Sequence, residues 1–271
     1  MGFNVTYVGT ATAVLRMGAE PRVRGREGRR EGFTLLTDPS FLHRGRRAWH
    51  GYGLWSRRRA EPAAEPTDLP SPDAVVLSHM HGDHFDRVAR DELQKDLPIA
   101  TTPRAARRLS KWGFSETVPL APWEYADLSR DDQVLRVTSV PARHGHRLLR
   151  RRLPATMGSV LELVRPDAAP VRVYLTGDAL FSPMLRDVAD RLGPLDAVLA
   201  HLGGTRIVGL LLTMDGRDGG DLLDLMRPPL RDFIREADRR GLSDLIRPVR
   251  RGETVSFIPE RERVRSGPWL D

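Results

Sequence analysis

Ser78-His79-Met80-His81-Gly82-Asp83-His84 places three imidazoles and a carboxylate within the six positions 79–84. Residues 73–78, Asp-Ala-Val-Val-Leu-Ser, form a short continuous apolar run of the kind a buried strand requires. Residues 86–94 then take helical spacing, with apolar points at Val88, Leu93 and Leu97. The histidines therefore occupy a strand-to-helix connection. His79 and His81, two apart, can converge on one cation, while Gly82 turns the chain so that Asp83 and His84 address an adjacent position. A His-rich surface turn is the plainer reading of such a segment, but the strand-to-helix context favours a metal site. The chain contains no cysteine, which excludes disulfides, thiolate catalysis and thiolate metal ligands. Nitrogen and oxygen donors suit zinc, with manganese or iron as alternatives.

Further donors must come from elsewhere in the chain. His144 follows a strand at 134–140 and is placed to close the first site. Asp178, in Leu-Thr-Gly-Asp after a strand at 171–176, ends another buried strand, and a carboxylate there can bridge two cations or simply cap the next helix. His201 ends a strand at 196–200. His146 reads as an exposed loop residue beside Arg147. His43 and His50 sit in a long loop, 40–72, among Trp49, Tyr52 and Trp55. A loop of that length is a functional lid or disordered.

The chain has 271 residues, 40% of them hydrophobic, enough to fill the core of one domain spanning 1–271. The remaining pattern alternates strands and helices. A hairpin is expected from 3–17 and 33–37 across a basic Gly-rich turn at 16–32. A strand is expected at 98–101, a helix at 103–112, strands at 158–164 and 254–258, and helices at 183–192, 219–226 and 230–240. No Gly/Ser linker divides the chain, so a layered α/β domain with two similar halves is the expected architecture.

Lys and Arg number 43 against 36 Asp and Glu, a net charge of +7, and only Lys95 and Lys111 are lysines. The arginine stretches lie in Gly- and Pro-punctuated segments without a docking motif for nucleic acid, so a solvated surface is the better reading. An anionic substrate is compatible with this balance. Residues 1–17 lack a basic, then apolar, leader pattern, and no apolar stretch approaches bilayer length. A soluble, cytoplasmic protein is expected.

On these residues the sequence resembles the metallo-β-lactamase superfamily. The resemblance rests on the HxHxDH signature at His79, His81, Asp83 and His84, with the later His144 and Asp178. It extends to the branch that includes ascorbate-6-phosphate lactonase and N-acylphosphatidylethanolamine phospholipase D, through Tyr7-Val8-Gly9-Thr10-Ala11-Thr12, Thr37-Asp38-Pro39 and the lead-in from Leu69 to Val75. It implies an αββα sandwich with a metal centre at one edge. His79, His81 and His144 would hold the first metal, Asp83 and His84 the second, with Asp178 between them. The activity implied is hydrolysis of an ester, lactone or phosphodiester by a metal-bound hydroxide, with Asp83 orienting the water and accepting its proton. The substrate would be a small or lipid-like anionic molecule. A nuclease is the alternative enzyme, though nucleases of this superfamily usually carry a further domain.

The sequence departs from the family at one place. The family's last histidine, a ligand of the second metal, has no counterpart, because no histidine follows His201. Met226 leads through Arg227-Pro228-Pro229 straight into the next helical pattern, so a strand and its loop are expected to be missing near 227–230. The second metal site is then weakened, or His201 substitutes, or the chain is an impaired metal-binding member of the fold.

Overall fold

Alternation along one strand sets the layering. In Ala74-Val75-Val76-Leu77, Ala74 and Val76 face one core while Val75 and Leu77 face another. A strand of period two does this when both of its faces are covered. The computed structural model describes residues 2–18, 32–51, 53–144, 154–166, 168–180, 184–201, 206–207, 210–211, 238, 247 and 249–257.

In chain order the strands are β1 (Phe3–Gly9), β2 (Thr12–Met17), β3 (Phe33–Thr37), β4 (Arg47–Gly51), β5 (Leu54–Arg57), β6 (Ala74–Leu77), β7 (Ile99–Thr101), β8 (Thr117–Pro119) and β9 (Tyr125–Arg130). They continue with β10 (Gln133–Pro141), β11 (Met157–Arg165), β12 (Ala168–Leu175), β13 (Ala197–Leu199), β14 (Arg206–Ile207), β15 (Leu210–Leu211) and β16 (Thr254–Phe257). One sheet has the order β16-β1-β2-β3-β6-β7-β8, antiparallel as far as β3 and parallel from β3 to β8. The second has the order β13-β12-β11-β10-β9, with only β12–β13 parallel. Their inner faces share a core in which Leu15, Leu35 and Val76 meet Leu135, Leu161 and Val173.

Helices cover the outer faces. α1 (Arg87–Glu92) and α2 (Pro103–Lys111) bring Ala89 and Leu109 onto Val75, Leu77 and Ile99. α3 (Met184–Leu192) brings Val188 onto Val140, Val160 and Tyr174. The result is the expected αββα sandwich. Local chemistry fixes the helix starts: Asp86 accepts from the Ala89 N–H at 2.9 Å, and Thr102 caps α2 with Pro103 at its first position.

Several elements differ from the expected pattern. The run at 3–17 is two strands, because Thr10 at φ 54° turns the chain between β1 and β2. The loop 40–72 carries the β4–β5 hairpin. β8 and β9 were not foreseen; β8 is three residues long, too short for a periodic signal. The helices expected at 219–226 and 230–240, apart from Asp238, and the strand expected to be missing near 227–230 lie outside the described residues. No helix among the described residues is long and apolar enough to cross a membrane.

Candidate metal centre

The strands that end at one edge of the sandwich deliver the ligand-type side chains together. β6 runs out at Leu77, and the Ser78 carbonyl accepts the Met157 N–H at 3.1 Å, tying that end to the start of β11 in the other sheet. The loop after β10, which carries His144, is joined to the loop after β12, which carries Asp178, by the Leu180 N–H donating to the Arg143 carbonyl at 2.7 Å. Gly177 makes the Asp178 turn possible. Its φ is +56°, and an added Cβ would lie 2.8 Å from the Met157 carbonyl oxygen. His201 follows β13, with its N–H donating to Thr176 Oγ1 at 3.0 Å.

Three donor sets result, the first two joined through Asp178. Ligand atoms of His79, His81, His144 and Asp178 all lie within 4.8 Å of one another, and all four residues are buried. A second set comprises Asp38, His84 and His201. Asp178 spans the two, with Oδ2 3.8 Å from His79 Nε2 and Oδ1 3.1 Å from His84 Nε2. Asp83 groups with His50 and His81 in a third set, and not with its neighbour His84. His50 comes from β4, its Nδ1 3.2 Å from Asp83 Oδ1. His146 lies outside the described residues.

Asp38 was legible only as part of Thr-Asp-Pro, yet it organises the centre. It takes φ 40°, a left-handed conformation that aspartate tolerates better than most residues. Its Oδ1 accepts from the Ser78 N–H at 2.7 Å and from Ser78 Oγ at 2.9 Å, and its Oδ2 accepts from His84 Nδ1 at 3.0 Å. With its proton given to Asp38, Ser78 Oγ accepts from His79 Nδ1 at 3.0 Å. His144 Nδ1 donates to the Asp178 carbonyl at 3.0 Å. Three rings thus have Nδ1–H engaged, which turns the Nε2 atoms of His79 and His144 inward as lone-pair donors, while His84 Nε2 faces Asp178 Oδ1 at 3.1 Å. His144 Nε2 is buried with no hydrogen-bond partner, and His81 Nδ1 faces His79 Nε2 at 2.9 Å.

The electrostatics of the first two sets differ. Burial, reinforced by the neighbouring imidazoles, holds His79 well below the ordinary histidine range. Burial and then His144 bring His81 down to about 3. Burial also lowers His144. His84 moves the other way. Burial opposes its charge, but the Asp178 and Asp38 carboxylates on either side outweigh that and raise it well above the usual value. Burial pushes Asp83 up, but the hydrogen bond from His50 and the nearby imidazoles hold it far below the carboxylate range.

These features fit a cation. His81 Nε2 and His144 Nε2, buried without a hydrogen-bond partner, converge with a buried carboxylate, an arrangement costly to bury unless a positive ion completes it.

The β4–β5 hairpin lies directly on the histidine segment. The Gly82 N–H donates to the Trp49 carbonyl at 2.7 Å, and a Cβ on Gly82 would fall 2.6 Å from the Trp49 nitrogen. Glycine is required there for backbone to approach backbone. At the base of the hairpin, Asp86 accepts from the Phe41 and Leu42 N–H groups at 2.5 and 2.6 Å. Beside the centre opens a cavity of about 260 Å³ lined by Trp49, His50, Met80, His81, Arg104 and Arg108 among others.

Comparison with known proteins gives a consistent picture. A sequence profile described as the beta-lactamase superfamily domain matches residues 34–228. The mitochondrial N-acyl-phosphatidylethanolamine-hydrolyzing phospholipase D of Saccharomyces cerevisiae is 25% identical over 119 residues, covering 42% of this chain and 24% of the yeast protein. A metal-dependent hydrolase of Pyrococcus furiosus is 24% identical over 167 residues, covering 61% of this chain and 67% of its own length. Among solved structures, an isothiocyanate hydrolase from Delia radicum gut bacteria superposes with a TM-score of 0.72 at 20% identity, covering 94% of this chain and 99% of the other. The chain spans 24% of the length of the first curated relative it matches and 48% of the next.

Proposed function

The chain belongs to the beta-lactamase superfamily, and from that premise we propose that it is a metal-dependent hydrolase acting on an ester, lactone or phosphodiester. The observation that carries the reading is the convergence of His79, His81, His144 and Asp178 within 4.8 Å, with three of the rings at the centre tied off at Nδ1. The names of the relatives, one a phospholipase D and one a metal-dependent hydrolase, support the same class.

In this proposal His79, His81 and His144 hold a first divalent cation, His84 with Asp38 and His201 marks a second position, Asp178 lies between the two, and Asp83 flanks the first from the His50 side. Zinc is the first candidate, since imidazole and carboxylate donors suit it, and manganese or iron accept the same set. When bound, such a cation supplies Lewis acidity and draws the pKa of water toward neutrality. The chain's own groups do the rest. Asp83, a carboxylate at neutral pH, accepts a hydrogen bond from the attacking water and so orients it. Its depressed pKa makes it a weak base, so orientation is its larger contribution. His50 Nδ1, 3.2 Å from Asp83, holds that carboxylate in place. Asp38 fixes the tautomer and plane of the His84 ring, as a carboxylate behind a metal-bound histidine does.

The second position is the weaker one in this reading. No histidine follows His201 in the sequence, and the family profile ends at 228, where the sequence reading puts the missing segment. That observation also favours a second reading, a metal-binding protein without turnover. Metal-reconstituted protein assayed on para-nitrophenyl butyrate and bis-para-nitrophenyl phosphate separates the two. Turnover that is lost in His79→Ala supports the hydrolase. Bound metal without turnover on either substrate sinks it and leaves the binding protein. Elemental analysis is expected to find one tightly held equivalent per chain, and two would overturn the weakened second position.

A further inference from the structure

The cavity beside His81 brings a second chemistry to the edge of the centre. Two of its lining residues, Arg104 and Arg108, come from α2, with Trp49 and Met80 supplying apolar surface. α2 carries four cations, Arg104, Arg107, Arg108 and Lys111, and no acidic residue. Arg104 sits in the first turn, where the helix dipole disfavours a positive charge. It stands four residues before Arg108, so the two guanidinium groups share a helix face on which like charges repel. Four arginines elsewhere are neutralised, Arg90 by Asp91, Arg130 by Asp73, Arg136 by Asp127 and Arg172 by Glu162. Arg104 and Arg108 have no carboxylate partner among the described residues. Arg108 instead stacks on the Trp112 ring, 4.8 Å from its centroid, which holds the guanidinium in place without discharging it. Two unneutralised planar forks on the wall of a partly apolar cavity that also contains a proposed metal ligand are arranged to bind oxyanions.

We propose that Arg104 and Arg108 form an anion subsite that selects substrates carrying a carboxylate or phosphate group on a small apolar body. The proposal rests on the hydrolase reading above and narrows its substrate class. Trp49 and Met80 contact the apolar body, the arginine pair takes the charged end, and the scissile bond lies toward His81.

Matched esters test it on the metal-loaded protein. In wild type, kcat/KM for mono-para-nitrophenyl glutarate, whose acyl chain ends in a carboxylate, should exceed that for neutral para-nitrophenyl butyrate by about tenfold or more at low salt. The preference should shrink as salt rises. The double variant Arg104→Ala/Arg108→Ala should lose that preference while turning over the butyrate within about twofold of wild type, since both side chains are exposed. A double variant that lowers both esters alike, or neither, overturns the subsite. If wild type turns over no ester, the hydrolase reading has failed separately, and calorimetric titration of metal-loaded protein with phenyl phosphate then decides the subsite. Binding that weakens by about tenfold in the double variant supports it, and equal binding by the two proteins, or none, overturns it.

Discussion

The two donor groups that share Asp178 lie side by side and are held by opposite electrostatics. In the first, His79, His81 and His144 are buried, crowded and held uncharged by that burial, with His81 Nε2 and His144 Nε2 left without a partner. In the second, His84 lies between the Asp38 and Asp178 carboxylates and, without a metal, keeps an extra proton. A cation entering the first group meets imidazoles that burial keeps uncharged, whereas one entering the second must compete with the proton that the two carboxylates hold on His84. Burial alone therefore prepares the first group for a metal, while burial with two carboxylates prepares the second for a charge that a proton can satisfy. The difference makes metal affinity at the second position the pH-dependent one.

The largest expected effect breaks the first group outright. His79→Ala should remove the tightly bound equivalent and lower kcat/KM by about 10²–10³-fold or more, measured by elemental analysis and ester turnover. Retention of both would dissolve the distinction between the groups. Asp38→Asn tests the second group more gently, because it removes the charge behind His84 while keeping the shape. It should weaken the second equivalent by about 10–100-fold and the first much less, since Asp38 reaches His79 only through Ser78, read by titration with zinc at neutral pH. Equal weakening at both positions would mean that the two sets act as one.

Gly82→Ala probes the β4–β5 hairpin, which contributes His50 to the Asp83 side and touches the first group only through the edge-on contact of His50 with His81. The added methyl collides with Trp49 backbone and should cost about 1–3 kcal/mol in chemical unfolding. Tight metal binding should survive while turnover falls. The smallest effect is expected from pH acting on chelator-treated protein. His81, at about 3 when folded, binds protons more readily unfolded, so stability falls as pH drops from about 6.5 toward 3, and His79 and His144 add to this. His84 has the opposite sign. Its raised value contributes stability in full below about 6.5, and that contribution is lost as pH rises through the folded value. The melting temperature should peak near pH 6.5 and decline by a few degrees on either side, and a monotonic profile would contradict the opposed shifts.

Much of the fold was legible because its strands are buried on both faces or alternate cleanly. The runs at 73–78, 134–140, 158–164 and 171–176 correspond to β6, β10, β11 and β12. What escaped was short or broken by conformation more than by composition. The turn at Thr10 carries no Gly-Asn or Pro signal of its own, so β1 and β2 read as one strand. β4 and β5 pair Trp49 with Trp55 across a hairpin that, among arginines and prolines, reads as loop. In the centre, His79, His81 and His84 announced themselves by spacing. His50 did not, because its relation to Asp83 spans 33 positions and depends on Gly82 admitting the hairpin.

By itself the sequence determined the donor chemistry: imidazole and carboxylate without sulfur, clustered between a buried strand and a helix, with no histidine after His201. Such facts are local, and spacing along a chain suffices to read them. Only the tertiary structure decided how the donors divide. Asp38 stands behind His84, His201 joins them, and Asp83 turns toward His50, because each comes from the end of a different strand and burial at the sheet edge brings those ends together. The charge each imidazole carries is likewise set by which carboxylates share its enclosure, and residues distant in sequence supply those.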